Sequence, residues 1–167
     1  MREIYRAGSQ LLKVRAIMIA SLACALGACW WGWDLFQTYG LRPADGGRLA
    51  SLAVRLGLGL GVAALGIAFA AGMWAYGRHF VSALAYDEAA GALHVRTVGF
   101  AGSHETLLSA SDVLGSAYLA GKSSYGRVSV DAPWMKVRVR GRRWPLIVDA
   151  KGEFPDRKLV ARLLKLE

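Results

Sequence analysis

Two long stretches without a charged residue limit what this chain can fold into. The first, Ala16–Trp33, has 18 residues, and the second, Leu56–Gly77, has 22. A helix rises about 1.5 Å per residue, so roughly 20 apolar residues cross the hydrocarbon core of a bilayer. Because a lipid-exposed backbone must satisfy its own hydrogen bonds, such segments favour helices. The sequence therefore predicts two transmembrane helices that form a hairpin.

The two predicted spans divide the chain into five parts. The part after the second span has about 90 residues, which is enough for one small hydrophobic core. In the link between the spans, Gly40, Gly46 and Gly47 on either side of Pro43–Asp45 indicate a turn. The predicted parts are a basic N-terminal segment (1–15), transmembrane helix 1 (16–33), the link (34–55), transmembrane helix 2 (56–77) and a soluble β-rich domain with a C-terminal helix (78–167).

The net charge of +9 lies mainly on the two flanks of the predicted hairpin. Residues 1–15 carry four basic residues and one acidic residue, and residues 78–167 carry 14 basic and nine acidic residues. The link carries three basic and two acidic residues. Since segments rich in Lys and Arg stay on the non-translocated side, we expect both termini on the matrix side of a mitochondrion or the cytoplasmic side of a bacterium.

Aromatic residues mark the ends of both predicted spans. Trp30, Trp31 and Trp33 close the first span, and Trp74 and Tyr76 close the second at the opposite interface. These five residues are predicted interfacial anchors, because amphipathic rings prefer the headgroup level. A signal peptide is the other interpretation of the basic start, but its apolar region is normally shorter. We also expect that a cleavable transit peptide is absent or already removed, since no Ser- and Arg-rich amphipathic leader is seen.

Small residues recur on one face of each predicted helix at spacings of three and four residues. Helices have little hydrophobic reason to associate in lipid, so close backbone approach between small residues stabilises their contact. We expect these faces to form the seam of the hairpin or, equally for one of them, to contact a helix of another protein. The predicted helix-packing residues are Ala16, Ala20, Ala23 and Gly27 in the first helix and Gly57, Gly61, Ala64, Ala68 and Gly72 in the second.

After Arg78 the pattern changes to short alternating segments, which are typical of β-strands. Val137 and Val139 alternate with basic residues, which predicts a strand with one buried and one basic face. Asp156 is a predicted N-cap of a C-terminal helix. Strands are expected over residues 81–86, 93–98, 105–108, 116–120, 127–131, 135–140 and 144–148, the last two joined as a hairpin. The predicted fold class is membrane α+β: a two-helix transmembrane hairpin followed by a small antiparallel β domain with a C-terminal helix.

The sequence offers no pattern for catalysis, a cofactor or a metal ion. The glycines of Gly59–Gly61 lie inside an apolar span, whereas a dinucleotide fingerprint needs a preceding strand and a polar crevice. The three histidines lack the spacing of metal ligands. Cys24 and Cys29 are about 7.5 Å apart along one helix and cannot form a disulfide with each other. Neither span contains an ionisable residue of the kind that marks transport pathways. We therefore expect a non-enzymatic protein without a small-molecule substrate.

A cluster of basic residues is the most suggestive polar feature of the chain. It could contact anionic lipid headgroups, an acidic partner protein or ribosomal RNA. It could equally be the solvated face of an edge strand, where positive charge prevents edge-to-edge pairing. Only Trp134 and Trp144 lie nearby, so a single-stranded nucleic-acid platform has weak support. This basic run consists of Lys136, Arg138, Arg140, Arg142 and Arg143.

The C-terminal motifs resemble those of a known family. They are the basic strand and turn Met135–Trp144, the apolar strand Leu146–Asp149, and the tail Gly152–Leu159 with its Gly-x-Phe-Pro pattern. The glycine-rich part of the second span, Leu56–Gly72, is also similar. These residues resemble the mitochondrial transmembrane protein two-two-three family, or a bacterial relative of it, over about two thirds of the chain.

The resemblance implies a two-span inner-membrane protein with both termini in the matrix and no catalytic or cofactor residues. It implies a non-catalytic accessory or assembly subunit of a respiratory-chain complex, most of all cytochrome c oxidase, in contact with other membrane subunits of that complex. The alternative is a transient assembly factor that meets nucleic acid only through the ribosome. The expected location is the mitochondrial inner membrane or, for a bacterial relative, the plasma membrane.

Overall fold

A computed structural model describes residues 1–41, 46–125 and 128–166. The chain forms two compact units. One contains Ala16–Ala75, and the other contains Met1–Arg15 together with Tyr76–Glu167. The predicted turn at Pro43–Asp45 lies outside the described residues, as does Arg127 in one predicted strand.

Two long helices account for most of the first unit. Helix α1 runs over Ser9–Thr38 and helix α2 over Leu52–His79. Both are long and apolar enough to cross a membrane, and only 6% of the apolar window of α2 is buried inside the protein. Each helix extends past its predicted span, because the polar residues at the span ends continue the helix beyond the apolar run.

The second unit is an antiparallel β domain, as the alternating pattern predicted. The strands are β1 (Arg2–Arg6), β2 (Val81–Asp87), β3 (Ala92–Val98), β4 (Ser103–Ser109), β5 (Val113–Leu119), β6 (Lys122–Tyr125), β7 (Val128–Asp131), β8 (Trp134–Val139) and β9 (Leu146–Asp149). Among them, a four-stranded sheet has the order β1-β2-β3-β4 and a three-stranded sheet the order β5-β8-β9, while β6 and β7 pair as a hairpin.

The C-terminal helix α3 covers Arg157–Leu164. Asp156 is its N-cap, as expected, and the Asp156 side chain accepts a hydrogen bond of 3.0 Å from the Leu159 backbone N–H. The apolar side of the helix points into the domain, where Val160 and Leu164 are buried. The apolar side of this amphipathic helix therefore forms part of the core of the β domain.

The first strand was not expected from the sequence. Strand β1 pairs antiparallel with β2, so that Tyr5 lies opposite Leu84 and Arg6 opposite Ala83. Ile4 and Tyr5 are completely buried. The N-terminal residues are therefore an edge strand of the β domain and not a separate basic segment. Residues from both ends of the chain form the core: Ile4, Tyr5, Phe80, Leu84, Val95, Val98, Val113, Val137, Val148, Val160 and Leu164.

Candidate functional site

The two long helices meet at a pair of glycines. A Cβ atom added to Gly32 would lie 2.4 Å from the carbonyl oxygen of Gly59, and one added to Gly59 would lie 2.6 Å from that of Gly32. A second close point follows along the helices, where a Cβ on Gly66 would lie 2.5 Å from the Cβ of Ala28. The seam of the hairpin is therefore formed by glycine and alanine, as expected for helices that pack in lipid.

The residues of the seam are not the ones that the sequence predicted. Gly27, Gly57, Gly61 and Gly72 have no atom within 4 Å of an added Cβ. Successive residues are about 100° apart around a helix, so a shift of two residues moves a position by about 200°. Gly57 and Gly61 each differ by two from Gly59 and therefore lie on the opposite side. All nine predicted helix-packing residues are exposed: Ala16, Ala20, Ala23, Gly27, Gly57, Gly61, Ala64, Ala68 and Gly72.

These nine exposed residues form what we call the outer faces of the hairpin. The large apolar side chains Leu60 and Ile67 are 62% and 55% exposed on α2. The predicted anchors Trp30, Trp31, Trp33, Trp74 and Tyr76 are exposed as well. Their level in a bilayer stays a prediction. The hairpin thus presents mostly unburied apolar surface, which lipid or another membrane helix can cover.

Arg55 fastens the second helix to the end of the first, a role that the sequence did not reveal. Its guanidinium donates hydrogen bonds to the carbonyl oxygens of Ala50 (3.1 Å) and Phe36 (3.0 Å). It also lies 5.5 Å from the centre of the Phe36 ring. Phe36 belongs to the last turn of α1, where carbonyl groups lack helical partners. In the sequence, Arg55 is visible only as the charged residue that precedes the uncharged stretch Leu56–Gly77.

The basic run has the alternation that the sequence predicted. Met135, Val137 and Val139 are buried, whereas Lys136 and Arg138 are exposed. The next residue, Arg140, is exposed too. Lys136 lies opposite Ala117 and Ile147, and Arg138 lies opposite Gly115. We call Lys136, Arg138 and Arg140 the basic sheet face.

This face does not belong to an edge strand. Strand β8 has β5 on one side and β9 on the other, so both of its backbone edges are paired. Protection against edge-to-edge pairing therefore does not explain its charge. Among the side chains that the structure describes, none of the five basic-run residues forms an ion pair. The positive charge is unneutralised within the described chain and is available to an anionic surface.

The tail motif Gly152–Leu159 has a structural role in the β domain. Arg6 and Glu153 exchange two backbone hydrogen bonds, of 3.0 Å and 2.8 Å. The Tyr5 hydroxyl accepts a hydrogen bond of 3.2 Å from the Asp149 backbone N–H, and the Tyr5 and Phe154 rings are 5.0 Å apart. Burial is the main cause that raises the pKa of Tyr5, followed by the Asp149 charge. The tail therefore holds strand β1 in place.

Within the described residues, no group of three or more His, Cys, Asp or Glu side chains could hold a metal ion. Cys24 and Cys29 are free thiols. Glu3, Arg6, His94, Arg96 and Glu105 line a shallow trough on the four-stranded sheet. Its charges largely pair with one another, since Arg6 bonds Glu3 at 2.7 Å and Arg96 lies 3.8 Å from Glu105.

The chain thus combines a glycine-seamed hairpin of two candidate membrane-spanning helices with an antiparallel β domain that carries an unneutralised basic face. In a comparison with protein-family models, residues 15–165 match the TMEM70/TMEM186/TMEM223 protein family, and the chain belongs to this family. The family predicted from the C-terminal motifs is confirmed. No curated protein and no solved structure matches the chain. Family membership indicates a mitochondrial assembly or accessory role at a membrane.

Proposed function

We propose that this chain is a non-catalytic accessory or assembly subunit of a respiratory-chain complex, and we favour cytochrome c oxidase as that complex. It would reside in the mitochondrial inner membrane and dock other membrane subunits through the outer faces of its hairpin. The main support is the unburied state of α2, whose apolar window is only 6% buried within the chain. A helix with this much free apolar surface and exposed glycines can accept a neighbouring helix at close range.

The β domain supplies a second contact surface in this proposal. The basic sheet face lies on a central strand and lacks acidic partners among the described side chains. An acidic surface of a partner subunit would complement its charge. Small residues opposite it, Gly115 and Ala117, leave room for the long side chains to reach outward.

Both chain termini belong to the β-domain unit, which gives them a common side of the membrane if both helices span it. The excess of Lys and Arg in residues 1–15 and 78–167 favours the matrix as that side. Protease protection of intact mitoplasts tests this orientation. We expect the β domain to be digested only after the membrane is opened.

Native gel separation after mild detergent extraction tests the docking. We expect the chain to co-migrate with membrane subunits of cytochrome c oxidase or its assembly intermediates. Replacing Gly61 and Ala68 by Leu should reduce co-migration several-fold, since both positions are exposed and neither belongs to the seam. The matched control is Ile67→Leu, which changes an exposed apolar side chain of the same helix without a change in size. Unchanged co-migration of the double variant would argue against docking by this face.

Salt distinguishes the ribosome-linked alternative. Contacts of the basic sheet face with RNA should weaken steeply between low and moderate ionic strength, because counterions compete for the phosphates. Docking through the hairpin is apolar and should change little. Loss of ribosome association together with loss of the respiratory partner at raised salt would favour the transient factor.

A further inference from the structure

The turn between β8 and β9 lies beside the end of the second long helix. Phe80, the first residue after α2, forms an isolated parallel bridge with Ile147 of β9. Because this bridge is parallel, β9 approaches it from the same side as the end of α2. The turn that precedes β9 therefore lies on the α2 side of Phe80. In agreement, Arg142 is close enough to the His79 imidazole for their charges to interact.

This end of α2 marks the level of the bilayer surface. Arg78 is the first charged residue after the apolar run Leu56–Gly77. Charged residues that follow directly on a span lie in the headgroup region. The β8–β9 turn, which we call the arginine turn (residues 140–144), is thus at headgroup level wherever α2 crosses the membrane.

The arginine turn combines positive charge with an exposed indole. Trp144 is 62% exposed, and the Arg143 guanidinium lies 6.0 Å from the centre of its ring. The backbone of the turn is held by two hydrogen bonds: the Arg140 N–H donates to the backbone carbonyl oxygen of Asp112 (2.8 Å), and the Arg142 N–H donates to that of Val139 (3.2 Å). In such a fixed turn, the Trp144 ring can lie at the boundary between the lipid headgroups and the acyl chains. The neighbouring arginine guanidinium groups can then reach the lipid phosphates.

We propose that the arginine turn binds the phosphate of an anionic phospholipid at the matrix-side surface of the bilayer. Arg142 and Arg143 donate hydrogen bonds to the phosphate oxygens, and Trp144 rests at the boundary between headgroups and acyl chains. The inference rests on the membrane hairpin of the proposed function but does not require any protein partner.

The distance from Lys136 to the arginine turn supports a lipid site at the turn and not along the whole basic run. A strand advances about 3.3 Å per residue, so Lys136 lies about 13 Å along the chain from Arg140. That distance exceeds the Debye length of about 8 Å at physiological ionic strength. Lys136 therefore lies beyond the screening length from Arg140. Lys136 and Arg138 belong to β8 and not to the turn, so a variant of these two residues is a charge-matched control for the turn.

Lipid titration of the purified full chain in neutral detergent tests the proposal. The probe is short-chain phosphatidylglycerol, compared with short-chain phosphatidylcholine, and binding is followed by tryptophan fluorescence. We expect phosphatidylglycerol to bind more tightly. The double variant Arg142→Gln/Arg143→Gln should lose about fivefold in affinity per arginine. Lys136→Gln/Arg138→Gln removes the same charge and should stay within about twofold of the native chain.

Two outcomes would overturn the lipid site. Equal losses in both double variants would mean that net charge, and not the turn, attracts the lipid. Competition by inorganic phosphate at the same concentration as the lipid would indicate a site for free anions. Thermal unfolding of each variant shows whether a loss of binding comes from misfolding. Trp144→Phe keeps an aromatic ring and should therefore retain the preference for phosphatidylglycerol better than Trp144→Ala. A normal lipid preference without co-migrating subunits would refute the proposed function and leave this inference intact.

Discussion

Gly152 touches Tyr5 so closely that no side chain fits between them. A Cβ atom on Gly152 would lie 2.5 Å from Cε2 and 2.9 Å from the hydroxyl oxygen of Tyr5, and 2.8 Å from the carbonyl oxygen of Arg6. The tail of the chain thereby contacts the first strand along its backbone. The glycine of the family-like tail motif is required by this contact.

Replacing Gly152 by Ala should destabilise the β domain by about 1–3 kcal/mol, because the added methyl group must displace a buried ring and a backbone carbonyl. Thermal unfolding of the purified chain in detergent measures the change. Gly102→Ala is the matched control, since nothing lies within 4 Å of its added Cβ. Equal stability of the two variants would contradict the close contact.

The Tyr5 hydroxyl should contribute a smaller amount that can be separated from its ring. Tyr5→Phe removes the acceptor of the 3.2 Å hydrogen bond from Asp149 and should cost about 0.5–1.5 kcal/mol. Tyr5→Ala also empties a fully buried position and should cost about 3–5 kcal/mol. Comparable losses in both variants would mean that the hydroxyl, and not the packing, dominates.

The same tyrosine predicts a dependence of stability on alkaline pH. Burial raises the pKa of Tyr5 above its ordinary value of 10.0, so the unfolded chain ionises first. Its effect on stability is therefore constant below about pH 10, and stability falls as the pH rises beyond that value. Denaturant unfolding between pH 8 and pH 11, as approximate limits, should show a steeper decline for the native chain than for Tyr5→Phe. Parallel declines would assign the effect to other groups.

The seam of the hairpin can be tested apart from its outer faces. Gly59→Val should destabilise the helix pair by about 1–3 kcal/mol or more, because its side chain meets the backbone of Gly32. Gly57→Val, two residues away, has open space beside it and should leave the pair intact. Thermal unfolding in detergent, followed by helical circular dichroism, distinguishes the two. A larger effect at Gly57 would support the seam that the sequence predicted.

Arg55 should stabilise the connection between the helices through its two carbonyl partners. Arg55→Gln removes hydrogen bonds to Phe36 and Ala50 and should cost about 1–3 kcal/mol. Arg48→Gln removes the same charge from an exposed position and should have little effect. Hydrogen exchange at the C-terminal end of α1 should rise in the first variant alone. Similar exchange in both would mean that Arg55 acts only through its charge.

Local patterns in the sequence predicted the elements that depend on neighbours along the chain. The alternation around Val137 and Val139 located β8 and its turn into β9, and Asp156 located the start of α3. Strand β1 has only five residues, and its partner strand begins at Val81, so no local period reveals their pairing. The seam was missed because small residues occur all around both helices. The position of the seam depends on two glycines that face each other across the helices, Gly32 and Gly59.

The candidate contact surfaces were likewise predicted only as far as they depend on residues close together in the sequence. The residues of the basic run could be named from the sequence, but the central position of β8 depends on pairing with β5, which is distant along the chain. The neighbourhood of Arg142 and the end of α2 likewise depends on the bridge between Phe80 and Ile147. The order of strands that are distant along the chain is a tertiary property. It determines whether the basic residues lie on an edge strand or on a central strand, which the sequence alone does not show.

The pairing of β1 with β2 ties the folding of the β domain to the path of the chain through the two long helices. The two strands are separated in the chain by both helices, so they can meet only where the ends of the hairpin lie on one side. In a bilayer, a second helix that failed to cross back would leave β1 and β2 on opposite sides of the membrane. The sheet would then lack its first strand, and Leu84 would lose its neighbour Tyr5.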